Sequence, residues 1–158
     1  MYLVSKNEEI AVQDNEELDV SALRAIAQYP DLEVLAMRSY CDRDGVVLLL
    51  VTNNSRQTTR LLEKVGYQCR TRPVILVGPL SRRGWTASLQ SELETLGIHV
   101  RRSYAHRTER GQHYLAFQTE NDERALRALE LSDALRGAAR SKDDGAAHLP
   151  NELHQLAA

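Results

Sequence analysis

Apolar positions along the chain follow two alternating rhythms. Stretches with Leu, Ile or Ala every three or four residues alternate with short runs dominated by Val, Leu and Ile. These are the patterns of amphipathic helices and of buried strands. Residues 1–17 are consistent with an opening strand. Asp19 is placed to cap a helix through about Gln28, with Leu23, Ile26 and Ala27 on one face. Tyr29-Pro30-Asp31 ends that helix, because Pro30 has no amide hydrogen and biases Tyr29 away from helix. A strand from Leu32 to about Tyr40, a turn at Asp42-Arg43-Asp44-Gly45 and a strand from Val46 to Thr52 read as a hairpin. Asn53, Asn54 or Ser55 caps the next helix, which turns Thr58, Leu61, Leu62 and Val65 to the core and stops at Gly66. A strand from Gln68 to Val77 follows.

The same order then returns. A loop at 78–83 leads to a helix from Trp85 to Leu96, with Leu89, Leu93 and Leu96 at helical spacing and Gly97 as its stop. Strands Ile98–His106 and Gln112–Thr119 turn at Glu109-Arg110-Gly111, and Asn121 or Asp122 caps a helix with a stripe of Ala125, Leu126, Leu129 and Leu131. Residues repeat along with elements. Arg38-Ser39-Tyr40 aligns with Arg102-Ser103-Tyr104, Gly45 with Gly111, and Thr52-Asn53-Asn54 with Thr119-Glu120-Asn121. In order and with small gaps, these matches indicate a duplication. Tyr40 and Tyr104 then occupy equivalent places, in the core or at the seam. The element order reads as two βαββαβ modules, 1–72 and 73–136. Residues 137–158, broken by Lys142-Asp143-Asp144-Gly145 and by Pro150, read as a polar tail.

Composition narrows the function. Hydrophobic residues make up 42% of the 158, enough for a core at this length, and with aromatics at 5% it must be filled by Leu, Val, Ile and Ala. Twenty basic against 22 acidic residues leave a formal charge of −2, which argues against a dedicated nucleic-acid binder. The charge is uneven: residues 8–19 are acidic, whereas Arg70, Arg72, Arg82, Arg83, Arg101, Arg102, Arg107 and Arg110 make the middle basic. No secretory leader is evident, and the run Val46–Val51 is far too short to cross a bilayer. Cys41 and Cys69 form neither a CxxC pair nor a disulfide framework, so the expected setting is the cytoplasm. His99, His106 and His113 fit no compact metal pattern. No phosphate loop, nucleophile elbow or zinc-protease motif is present, so neither an enzyme, a metal nor a cofactor is expected.

Several segments carry a resemblance. They are Val74–Val77, Gly84 entering a helix, Leu96-Gly97-Ile98-His99-Val100, Tyr104-Ala105 and Asn121–Leu129, with Gly45–Val51 and Leu61–Tyr67 in the first copy. Over about residues 18–131 the chain resembles the ACT-domain family, specifically small bacterial proteins made of two ACT modules. The resemblance implies an α+β fold of two ferredoxin-like modules with antiparallel sheets, all helices on one face, and sheets joined edge to edge. It also implies an amino acid bound at the seam, beside the loop from first strand to first helix. That family's loop is an Asp-x-Pro-Gly-like turn. Here the second module keeps Gly84 after Ser81-Arg82-Arg83 but lacks the proline, and the first has Asp14-Asn15-Glu16-Glu17-Leu18 with no glycine.

A ligand site is therefore expected in the second module, at Leu80, Ser81, Arg83, Gly84, Trp85 and Thr86. Gly84 would let the backbone approach, and helix-start N–H groups would receive a carboxylate. Arg82 and Arg83 either pair with it or stay solvated, and Trp85 either packs the seam or walls the ligand. The expected function is a small-molecule-sensing regulatory protein that binds an amino acid and works as a homodimer through sheet edges. The alternative is a ligand-free protein-interaction module using a sheet edge or the tail.

Overall fold

The computed structural model describes residues 3–14, 18–80 and 85–132. Its elements run β1 (Leu3–Asp14), α1 (Leu18–Ala27), β2 (Val34–Asp42), β3 (Gly45–Thr52), α2 (Ser55–Lys64), β4 (Gln68–Leu80), α3 (Trp85–Thr95), β5 (Val100–Arg107), β6 (His113–Thr119) and α4 (Asp122–Glu130). The strands form one sheet in the order β2-β3-β1-β4-β6-β5, with every neighbouring pair antiparallel.

The long central strands β1 and β4 pair without a register break from Leu3–Gly78 to Gln13–Gln68. Each serves both halves of the molecule. The end of β1, Ile10–Asp14, also pairs with β3, and the later part of β4, from Ile75 to Leu80, also pairs with β6. The first half is thus β1-α1-β2-β3-α2-β4 in the ferredoxin-like order β2-β3-β1-β4. The second is β4-α3-β5-β6-α4, with the start of β1 standing as its fourth strand.

Both faces of the sheet are apolar. On one, Ile10, Val12, Leu48 and Leu50 pack under Ala22, Ile26 and Leu62 of α1 and α2. Beside them Ile75, Val77, Leu115 and Phe117 pack under Leu89, Leu93, Ala125 and Leu129 of α3 and α4. On the other, Val47, Leu49, Val51, Val74, Leu76, Tyr104, Tyr114 and Ala116 are buried as well, and no described helix lies over them. The sheet covers this face by curling until its edge strands β2 and β5 approach each other. Arg110, in the β5–β6 turn, comes within 4.0 Å of Glu33, just before β2. Burial on both faces explains why β3 and β4 read as unbroken aliphatic runs rather than alternating ones.

Local signals explain most element ends. Asn54 and Asn121 are the N-caps of α2 and α4, each accepting through its side chain from the amide three residues on, at 3.1 and 3.0 Å. Other expectations are corrected. Helix α1 already includes Leu18, so Asp19 lies within the helix and not at its cap. Strands β2 and β5 begin two residues late, at Val34 and Val100, although Leu32 and Ile98 are buried. Strand β4 continues past Val77 to Leu80, because after a register shift Leu80 finds a partner in His113. Val65, Leu96 and Leu131, expected on apolar faces, are 53%, 45% and 73% exposed; each sits just beyond a last helical turn, where the chain leaves the sheet. The expected tail, 137–158, lies outside the described residues.

The two thiols differ in setting. Cys41 is exposed, whereas Cys69 packs against the core under α1 and α2, where burial, with the Glu63 carboxylate adding to it, pushes its thiol to about 11. A buried neutral thiol is a poor nucleophile. Iodoacetamide near neutral pH is expected to alkylate Cys41 quickly and Cys69 only on unfolding, as read by peptide mass spectrometry. Equal rates in the folded protein would contradict this packing.

Candidate functional site

Strand alternation sends Ile10 and Val12 to the helices, so Glu9 and Ala11 face the concave side. Glu9 is fully buried there. Arg72 stands directly opposite it in the β1–β4 register, and its Nε donates to Glu9 Oε1 at 2.6 Å. Arg102 Nη2, from β5, donates to the same oxygen at 2.6 Å, and Tyr104 Oη donates to Oε2 at 2.8 Å. Arg102 Nη2 also donates to Gln118 Oε1 at 3.1 Å, and Gln118 Nε2 donates to the Pro73 carbonyl at 3.0 Å. One carboxylate thus receives three donors, two of them cationic, which offsets the large desolvation cost of burying it. Burial, and then the Glu9 charge and hydrogen bond, hold the Tyr104 phenol well above its ordinary value, so it remains a donor.

Towards the β2–β3 hairpin, the same face opens into a cleft of about 390 Å³, lined in part by Ala11, Tyr40, Val47, Arg70 and Arg72. Arg72 therefore touches both the buried carboxylate and the cleft.

The cluster joins strands of both halves and is not repeated at the equivalent positions. The expected equivalence of Arg38-Ser39-Tyr40 with Arg102-Ser103-Tyr104 is two residues out of step. Tyr40 faces Val47 and Arg38 faces Leu49, whereas His106 faces Tyr114 and Tyr104 faces Ala116. Leu48 and Leu115, which follow Val47 and Tyr114, pair with Val12 and Val77 of the central strands. By position, then, Tyr40 corresponds to His106 and Tyr104 to Arg38, while Val74 takes the place of Glu9. A two-residue offset keeps the face but changes the height. Hence Tyr40 is 38% exposed at the cleft and Tyr104 is buried on Glu9.

The expected ligand residues are distributed as follows. Leu80 is buried in the core under α3 and α4. Ser81, Arg82, Arg83 and Gly84 lie outside the described residues, and α3 opens at Trp85. Thr86 is half-buried and lines a cavity of about 30 Å³ between α3 and the sheet, with Leu89, Leu93, Val100 and Ser103. His106 faces the concave side, where burial lowers its pKa, and among the described residues no three metal-binding side chains converge. None of these expectations pointed to Glu9. A signal was present: Ala11 and the unbroken runs of β3 and β4 imply that the second face is buried, which buries Glu9 too.

Replacing Glu9 by Gln leaves Arg72 and Arg102 without their counter-charge. The expected loss in denaturant unfolding is about 2–3 kcal/mol, at the low end for a broken buried pair because Arg72 is 40% exposed and can resolvate. Tyr104→Phe tests the phenol. Its folded pKa is raised, so its contribution is complete below its ordinary value of about 10 and is lost as pH rises towards the folded value. The wild type is expected to lose stability above that pH, with this part of the decline absent from the variant. Identical alkaline limbs would remove Tyr104 from the cluster.

The sequence matches no family model and no curated protein. Solved structures do match. A protein from Bacteroides thetaiotaomicron superposes with a TM-score of 0.63 at 12% identity, over 82% of this chain and 88% of that one. The regulatory subunit of aspartate kinase from Thermus thermophilus, in its ligand-free form, gives 0.56 at 15% identity, over 82% and 96%. Aspartokinase alpha and beta subunits give 0.50 at 19% identity, over 85% and 97%. At such identities the likeness is one of architecture. Six antiparallel strands with the four described helices on one face give this chain an α+β fold similar to that of the aspartate kinase regulatory subunit.

Proposed function

We propose that the protein is a small-molecule-sensing regulatory module that binds an amino acid at the start of α3. The observation that carries this reading is the placement of that helix. It opens at Trp85, a few residues after β4 ends at Leu80, with Thr86 of its first turn over a gap in the core. Free N–H groups at a helix start suit a carboxylate but contribute only about 0.3–1 kcal/mol when exposed. Specificity must therefore come from burying the ligand side chain, with Ser81 and Arg83 as further partners and Gly84 permitting close approach. The fold shared with a regulatory subunit of aspartate kinase supports a regulatory, non-catalytic role. Among the described residues, no helix is long and apolar enough to cross a membrane.

The reading includes a homodimer. Since β2 and β5 turn their edges towards each other, the contact between copies is expected on the helical face rather than through strand pairing. The same closure gives the edge-docking alternative less support.

One or a few of the proteinogenic amino acids are expected to raise the melting temperature. Gly84→Val is expected to abolish that rise while leaving the unliganded transition in place. Calorimetry that detects no heat from the full amino-acid set on folded protein would reject the reading. Light scattering at high micromolar concentration is expected to give the mass of two chains, and the mass of one would reject the dimer.

A further inference from the structure

We propose that the open end of the concave face is a separate binding site, for a small molecule with one carboxylate and a flat apolar body. The cleft measures about 390 Å³, within the roughly 300–1,000 Å³ range of small-molecule sites. Cys69 packs towards the helices, so alternation sends Arg70 and Arg72 of β4 to the concave side, where both line the cleft. Arg72 commits its Nε to Glu9, while its side chain stays 40% exposed and is among those lining the cleft. Arg70 is exposed and enters no ion pair among the described residues. Two such forks on one strand match the planar geometry of a carboxylate. Asp42, also on the lining, disfavours a second anionic group.

The apolar part of the ligand follows from comparing the two halves. In the second half, Tyr114 stands where the first has Val47, and its ring lies over Gly78. A Cβ added at Gly78 would sit 2.4 Å from Tyr114 Cδ1, so the ring fills that space. In the first half Val47 stands opposite Gln13, the counterpart of Gly78, and with Ala11 it lines the cleft beside the half-exposed ring of Tyr40. A ligand ring would rest on Ala11 and Val47 beside Gln13, with Tyr40 as a stacking wall. This site shares no residue with the start of α3, so it stands or falls apart from the proposal made there.

Benzoate is the probe, titrated into the full-length isotope-labelled chain and followed by amide NMR, with neutral benzamide as its isosteric control. Benzoate is expected to move amides around Ala11, Val47 and Arg70, and benzamide to bind at least about tenfold more weakly, the cost of losing one charge-assisted interaction. Arg70→Gln is expected to weaken benzoate about tenfold with the melting temperature unchanged, and Gly84→Val to leave the titration as in the wild type. Val47→Tyr, which puts a ring into the cleft, is expected to close the site. If that variant fails to fold, Arg70→Gln decides. Shifts elsewhere, equal binding of benzamide, an unaltered titration with Arg70→Gln, or no shifts at millimolar benzoate would each overturn the proposal.

Discussion

The register between β1 and β4 is the constraint from which the rest follows. Because these strands pair continuously from Leu3–Gly78 to Gln13–Gln68, one alignment decides the facing of every side chain on both. It sends Ile10, Val12, Ile75 and Val77 to the helices and sets Glu9 against Arg72 on the opposite side. A slip of one residue in either strand would turn its aliphatic set out and its charged residues into the core, so alternative registers are heavily penalised. Since each strand also completes a half of the molecule, neither half has a full sheet without the other.

That register leaves two apolar faces and only four described helices, all on one of them. The second face is buried by curvature instead. Sheet twist accumulated over six strands brings β5 over towards β2. Tyr104 and Arg102 of β5 then reach a carboxylate on β1, three strands away in the sheet order. An unpaired carboxylate at that depth would be costly, so Glu9 favours the curled arrangement in which its donors arrive. The curl also brings the two edge strands close over part of their length, which shields part of an open sheet's edges.

The two halves use the shared interior differently. Glu9 of β1 has Val74 of β4 as its positional counterpart. One fills its end with Tyr114 over Gly78, and the other, with Val47, keeps an open cleft. Core positions are held by volume and pattern rather than by identity, so a polar lock and an open cleft are both compatible with the same backbone.

Much of the fold was legible because its signals are short-range. The caps at Asn54 and Asn121, the turns at Gly45 and Gly111 and the alternation of strands and helices all depend on residues within a few positions of each other. The sequence by itself thus determined element order and most of the apolar faces of helices and strands. It misled where a local pattern was extended past its physical basis. The Arg-Ser-Tyr triplets match as text yet sit at different heights, because each strand begins with its own bulge and is aligned by its partner, not by its own residues. Only the tertiary structure decided which concave-face side chains meet. Glu9 lies 63 residues from Arg72 and 93 from Arg102 along the chain, and they converge through one long-range register and the summed twist of the sheet. No local spacing encodes either of these.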